Sequence, residues 1–184
     1  MYKICQSEQS FQRQRTLENG LLQLMLKRRY EDITVSDLCD FLQIPRKAFY
    51  RYFSSKDGAL FALLDHTMMD FQFSEQHGTP GSAVNELGRY FTFWYERKDL
   101  LTALERSALS GILVERATNF ALRERMMPRY MLGWDAGYQG IAVSFAICGL
   151  MSMVIQWHHQ NFRQTPEEMT RIATSILTRP LLPL

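Results

Sequence analysis

Residues 34–56 read TVSDLCDFLQIPRKAFYRYFSSK, and the fold turns on how this stretch is read. A helix start needs side-chain oxygens for its unpaired backbone N–H groups, and Thr34 with Asp37 three residues later supplies a T-x-x-D capping pattern. Val35, Leu38 and Leu42 recur at helical spacing, which predicts a short helix from Thr34 to about Leu42 with one apolar face. Gln43-Ile44-Pro45 follows. Proline at a first helical position sacrifices no hydrogen bond, so a second helix is predicted to start there after a turn of about three residues.

In that second helix Phe49 and Phe53 lie four apart and form the core face, while Arg46, Lys47, Tyr50 and Arg51 share the opposite face. The latter face carries positive charge and a phenol hydroxyl but no acid. Arginine pairs bidentately with guanine, lysine and tyrosine reach phosphate oxygens, and a helix fits the major groove. Ser54 or Ser55 is expected to cap the next helix, with Lys56 in its first turn. A lysine there opposes the helix dipole, and attraction to a phosphate gives it a reason. A basic helix face in an ordinary bundle would offer the same charges only to water, so the wider pattern has to separate the two readings.

Over Ile33–Leu60 the string ITVSDLCDFLQIPRKAFYRYFSSKDGAL closely resembles the N-terminal DNA-binding domain of the TetR family (TetR/AcrR-like) of bacterial transcriptional regulators. The matching pieces are the I-T-V-x-D-L-C run, the I-x-R-x-x-F-Y-R-Y-F helix and the following S-K-D-x-x-L. The resemblance extends back through Thr16–Tyr30, where Leu17, Leu21, Leu24 and Met25 form the apolar stripe of a first helix. Forward, GLMSMVIQWHHQNFRQTPEEMTRIATSIL is similar to the closing helix pair of many members.

The resemblance implies a three-helix DNA-binding domain over residues 1–54 and a helical effector-binding and dimerisation domain over residues 55–184. By position, it implies that Thr34 contacts a backbone phosphate, that Arg46, Lys47 and Ala48 face the groove, and that Tyr50, Tyr52 and Lys56 hold phosphates, with Arg51 able to do either. Three positions depart from the family pattern: Gln43 stands where many members carry Gly in the turn, Pro45 replaces a frequent Ser or Asn cap, and Lys47 replaces a frequent Gly or Ser near the DNA. The turn position favours a positive backbone angle, so Gln43 is a candidate for a local stability cost.

At 184 residues and 46% hydrophobic content the chain is long enough for a small domain and a larger one with a real core. Its net charge of +2 is too small to signal nucleic acid, so the DNA reading rests on the local placement of Arg46, Lys47, Arg51 and Lys56 against Asp57 alone. Cys5, Cys39 and Cys148 are odd in number and form no C-x-x-C pair, which suits a reducing cytoplasm and indicates neither a disulfide framework nor a zinc cluster. The first fifteen residues lack the features of a signal peptide. Ile141–Trp157 is mostly apolar and seventeen residues long, at the short limit for a membrane span. Ser144, Gly149, Ser152 and Gln156 interrupt it, and a helix buried on nearly all sides, with no membrane, is the expectation.

Further along, helical repeats are predicted over Ser55–Ser74, Val84–Tyr95, Asp99–Leu109, Ile112–Met127, Ile141–Phe162 and Pro166–Leu177, with a breaker at His77–Ser82 and a helix end at Pro128. No run alternates as a strand would, so the protein is predicted all-α with about nine helices. Aromatic and Met residues crowd the C-terminal two-thirds; most belong to a core, and the resemblance implies that some line a site for a small apolar or aromatic effector. Trp94, Tyr95, Phe120, Tyr130 and Trp134 are the candidates. The same resemblance implies a homodimer through the last two helices, where Met169, Ile172, Ala173 and Ile176 form an apolar stripe.

No cofactor or metal set is evident: His158 and His159 are helix neighbours that point about 100° apart. No G-x-S-x-G, Walker loop or H-E-x-x-H occurs, so an enzyme has no support in the sequence. The reading is a DNA-binding regulator, a ligand-responsive repressor that binds a near-palindromic operator in double-stranded DNA. The alternative is a helical adaptor that binds another protein through its apolar C-terminal surface.

Overall fold

The computed structural model describes residues 1–76, 83–124 and 136–178, and among them it is all-α with nine helices. These are α1 (Glu8–Met25), α2 (Val35–Phe41), α3 (Arg46–Phe49), α4 (Lys56–Gln76), α5 (Ala83–Tyr95), α6 (Lys98–Arg106), α7 (Ser110–Arg123), α8 (Ala136–His159) and α9 (Pro166–Thr178). The predicted breaker at 77–82 and the helix end at Pro128 lie outside the described residues. The chain forms two compact units, one of residues 1–69 with 99–116 and one of residues 70–98 with 117–184.

In the first unit α1 begins at Ser7, whose hydroxyl caps the Ser10 N–H, about two turns ahead of the predicted start at Thr16. It also stops before Tyr30. That residue's N–H is drawn to the Ser107 hydroxyl at 2.8 Å, and Tyr30–Asp32 turn as a short 3-10 segment instead. The stripe of Leu17, Leu21, Leu24 and Met25 is buried as its period requires, together with Leu38, Phe49 and Phe53. Gly20 lets α1 approach α2 closely, since a Cβ there would sit 2.7 Å from Leu42 Cδ1.

This core also holds charges. His66 Nδ1 lies 2.9 and 3.0 Å from the two carboxylate oxygens of Glu18, and Asp65 takes a two-point contact from the Arg116 guanidinium, its Nε donating at 2.9 Å. Glu18, Asp65 and His66 are all buried, so each needs the partner it has.

In the second unit α5 packs along α9. Phe91 meets Trp157 edge-on at 5.8 Å, Tyr95 stacks on Trp157 at 5.6 Å, and the Trp157 indole donates to the Gln164 carbonyl. On α8, Val143 packs with Ala121 of α7, and Met151, Val154 and Trp157 are buried. The opposite side corrects the sequence expectation. Within its own unit α8 is not buried on nearly all sides, because Tyr138, Ile141 and Phe145 are 64%, 70% and 71% exposed. A helix that is apolar all round gives no period to say which face its own chain will cover. Its segment Gly137–His159 is long and apolar enough to cross a membrane.

Candidate DNA-binding face

Helix α2 starts with the predicted reciprocal cap. The Asp37 N–H donates to Thr34 Oγ1 at 3.1 Å, while the Thr34 N–H and hydroxyl both donate to Asp37 Oδ2. These bonds from Thr34, with help from Arg28 at 3.2 Å, hold the Asp37 carboxyl at a pKa of about 2. Both donors of Thr34 are therefore committed within the protein, and a phosphate at this position would have to compete with Asp37.

The turn into α3 carries Gln43 at φ 53°, the left-handed region foreseen for a position that favours glycine. Pro45 is extended at φ −70°, ψ 144° and stands just before α3, one residue short of the predicted first helical position. Helix α3 is a single turn, Arg46–Phe49, and Tyr50–Tyr52 continue it as turns. Phe49 and Phe53 are fully buried and fix the orientation of this segment. Arg46, Lys47, Tyr50 and Arg51 are exposed, and Ala48 and Tyr52 are half-buried. Arg46 lies over the Tyr50 ring at 5.9 Å and donates to its hydroxyl at 3.3 Å. Among the described residues none of Arg46, Lys47 and Arg51 pairs with a carboxylate. Their charge is uncompensated at the surface.

Lys56 sits differently from the expected phosphate contact. Its ammonium turns inward, donating to the carbonyls of Tyr30 and Ile33 at 2.5 Å each and lying 4.1 Å from the Tyr30 ring centroid. Burial lowers its pKa against the opposing pull of Asp57 and other nearby acids. Those carbonyls explain a lysine in the first turn of α4 without any phosphate, while Ser55 caps the helix through the Gly58 N–H. Sequence reasoning missed the neighbouring segment Met1–Lys3, which pairs with residues 52–54 at the exit of α3. Pairing across fifty residues leaves no local signal.

Comparison with solved structures places this geometry. The chain aligns with a fatty acid degradation regulator, FadR, from Bacillus halodurans at a TM-score of 0.64 and 14% identity, covering 97% of this chain and 98% of the other. It aligns with the TetR family repressor AlkX from Dietzia sp., implicated in biodegradation of n-alkanes, at 0.58 and 20% identity, covering 89% and 92%. A TetR-family transcriptional regulator from Streptomyces coelicolor aligns at 0.54 and 20% identity, covering 89% and 78%. The chain has a TetR-like fold. No family model and no curated protein matches it.

Within this TetR-like fold the three candidate effector residues among the described ones, Trp94, Tyr95 and Phe120, are packed against their neighbours. Trp94 and Phe120 are buried; Trp94 meets Tyr90 and Phe93 edge-on, and Tyr95 lies against Trp157, Phe162 and the Lys98 ammonium. Tyr130 and Trp134 lie outside the described residues. A groove of about 680 Å³ runs between α5 and α9, lined by Gly88, Arg89, Thr92, Phe93, Thr170 and Arg171 among others, and none of Trp94, Tyr95 and Phe120 lines it. The candidate dimer stripe divides. Met169 and Ala173 are buried in the second unit, where α9 meets α5, whereas Ile172 and Ile176 are 41% and 38% exposed beside Leu177 at 50%.

Proposed function

We propose that this protein is a cytoplasmic, non-enzymatic DNA-binding transcriptional regulator, a repressor that reads a near-palindromic operator as a homodimer. One observation carries the reading: Arg46 and Lys47 on α3 and Tyr50 and Arg51 in the turns that continue it are exposed to solvent, among the described residues no carboxylate pairs with any of the three cations, and two buried phenylalanines lock the segment from below. Arg46 and Lys47 read base edges, with Ala48 beside them. Tyr50, Tyr52 and Arg51 hold phosphates. DNA binding belongs to residues 1–54 and effector binding and dimerisation to residues 55–184.

A symmetric operator needs two α3 segments about 34 Å apart, hence a two-fold dimer. The exposed apolar residues of α8 (Tyr138, Ile141, Phe145) and α9 (Ile172, Ile176) support a second copy of the chain as their cover. A small apolar or aromatic effector bound in the C-terminal region alters operator affinity by linkage, with the coupling reciprocal between the two sites. Helix α4 contributes residues to both compact units, which supports its role in that coupling.

Selecting bound duplexes from a random-sequence library tests the reading. The expected outcome is a pair of inverted half-sites one helical turn, or a multiple of it, apart. Equal affinity of the wild type and an Arg46→Ala, Lys47→Ala, Tyr50→Ala variant for the selected duplex would overturn it.

A further inference from the structure

Residues 1–3 lie along the segment that follows α3. The Lys3 N–H donates to the Tyr52 carbonyl at 2.9 Å, the Ser54 N–H and hydroxyl donate to the Met1 carbonyl at 3.1 and 2.8 Å, and Tyr2 bridges Phe53 in antiparallel fashion. Side chains of an extended segment alternate between its faces. Tyr2 points inward, its hydroxyl donating to Asp65 Oδ2 at 2.7 Å and its ring meeting His66 edge-on at 5.7 Å. Asp65 is itself gripped by Arg116, so the anchor for Tyr2 is rigid. The Gln14 amide donates to the Lys3 carbonyl at 3.2 Å and ties down the far end. Glycine at position 58 makes the approach possible, because a Cβ there would lie 2.5 Å from the Met1 carbonyl oxygen.

This strap leaves Lys3 on its outer face. The side chain is exposed and has no carboxylate partner among the described residues, and its backbone is hydrogen-bonded to Tyr52, next to Arg51 of the cationic face. We propose that Lys3 is a DNA phosphate contact, a cation held beside the recognition segment by a strap from outside the helix-turn-helix. This rests on the reading of the chain as a DNA-binding protein. Tyr2 and Asp65 act as positioning residues: by fixing the strap before DNA arrives they remove an ordering cost that a loose lysine would incur on binding.

Salt dependence of binding separates a phosphate contact from a merely structural residue. Each phosphate neutralised on duplex DNA contributes about −0.9 to the slope of log affinity against log salt, or about threefold in affinity between 50 and 200 mM. With the full-length chain and the duplex selected by the wild type, Lys3→Gln should flatten the slope by about 0.9 per bound protomer, and Lys3→Arg should restore it. Both variants should unfold at the wild-type midpoint. A Lys3→Gln variant with the wild-type slope and affinity overturns the proposal and leaves the DNA-binding reading intact. A wild type that binds no duplex at 50 mM salt overturns both.

Discussion

Two helical surfaces are left uncovered by their own units, the cationic one on α3 and the apolar one on α8, and they differ in how they came to be free. On α3 and the turns that continue it, Phe49 and Phe53 take up the inward side, so the outward residues are those the helical period assigns to solvent. On α8, Val143, Met151, Val154 and Trp157 satisfy the unit's core, and Tyr138, Ile141 and Phe145 are as apolar as the residues that were buried. Charge left over wants a charged partner and dissolves well without one; apolar area left over is costly until something covers it. The first surface therefore fits a partner that comes and goes, and the second fits a permanent one.

The contrast is most exposed to test on α8. Phe145→Asp would bring one unpaired carboxylate from each protomer into a symmetric interface, and the expected result is at least a thousandfold weaker dimer, on the order of 4 kcal/mol, by light scattering or sedimentation. An unchanged dimer would mean that the second copy sits elsewhere. On α3, Arg46→Ala should weaken operator binding by about 1–3 kcal/mol and relax base preference at one position, with dimerisation untouched, as read by fluorescence anisotropy on single-base operator variants.

Ile172→Asp tests how far the apolar surface continues onto α9. Since Ile172 is only 41% exposed, a smaller loss of about tenfold in dimer affinity is expected in the same sedimentation measurement. Acid titration of unfolding reads the cap that sets α2 beneath α3. Asp37 is held at about 2, below its ordinary 3.8, so its contribution is complete above about pH 4 and is lost as the pH falls towards 2. Asp37→Asn should lack that part of the pH dependence. The smallest effect is expected at Gln43, where the left-handed backbone penalty and the entropy of a new glycine nearly offset. Gln43→Gly should raise stability by about 0.5 kcal/mol in urea unfolding.

These two surfaces also mark where the sequence was informative. The reciprocal cap of Thr34 and Asp37 was legible because its partners are three residues apart, and the positive angle at Gln43 because the family that this stretch resembles often carries glycine at that place in the turn. The free face of α8 was not legible, since its apolar residues have no period to divide them. Nor was the inward turn of Lys56, whose acceptors are carbonyls more than twenty residues away, and the same holds for Tyr2, which reaches Asp65 across sixty-three positions. The early start of α1 went unseen because its first turns are polar, and Gln14 and Glu18 are buried through hydrogen bonds that only the fold supplies.

The Lys56 ammonium, clasped by the carbonyls of Tyr30 and Ile33, has a mechanical consequence. It rivets the first turn of α4 to the residue immediately before the α2 cap, so a torque applied at that end of α4 is delivered at Thr34. Ile33 and the cap that follows it are thereby tied to the start of α4 and not left to slide past it.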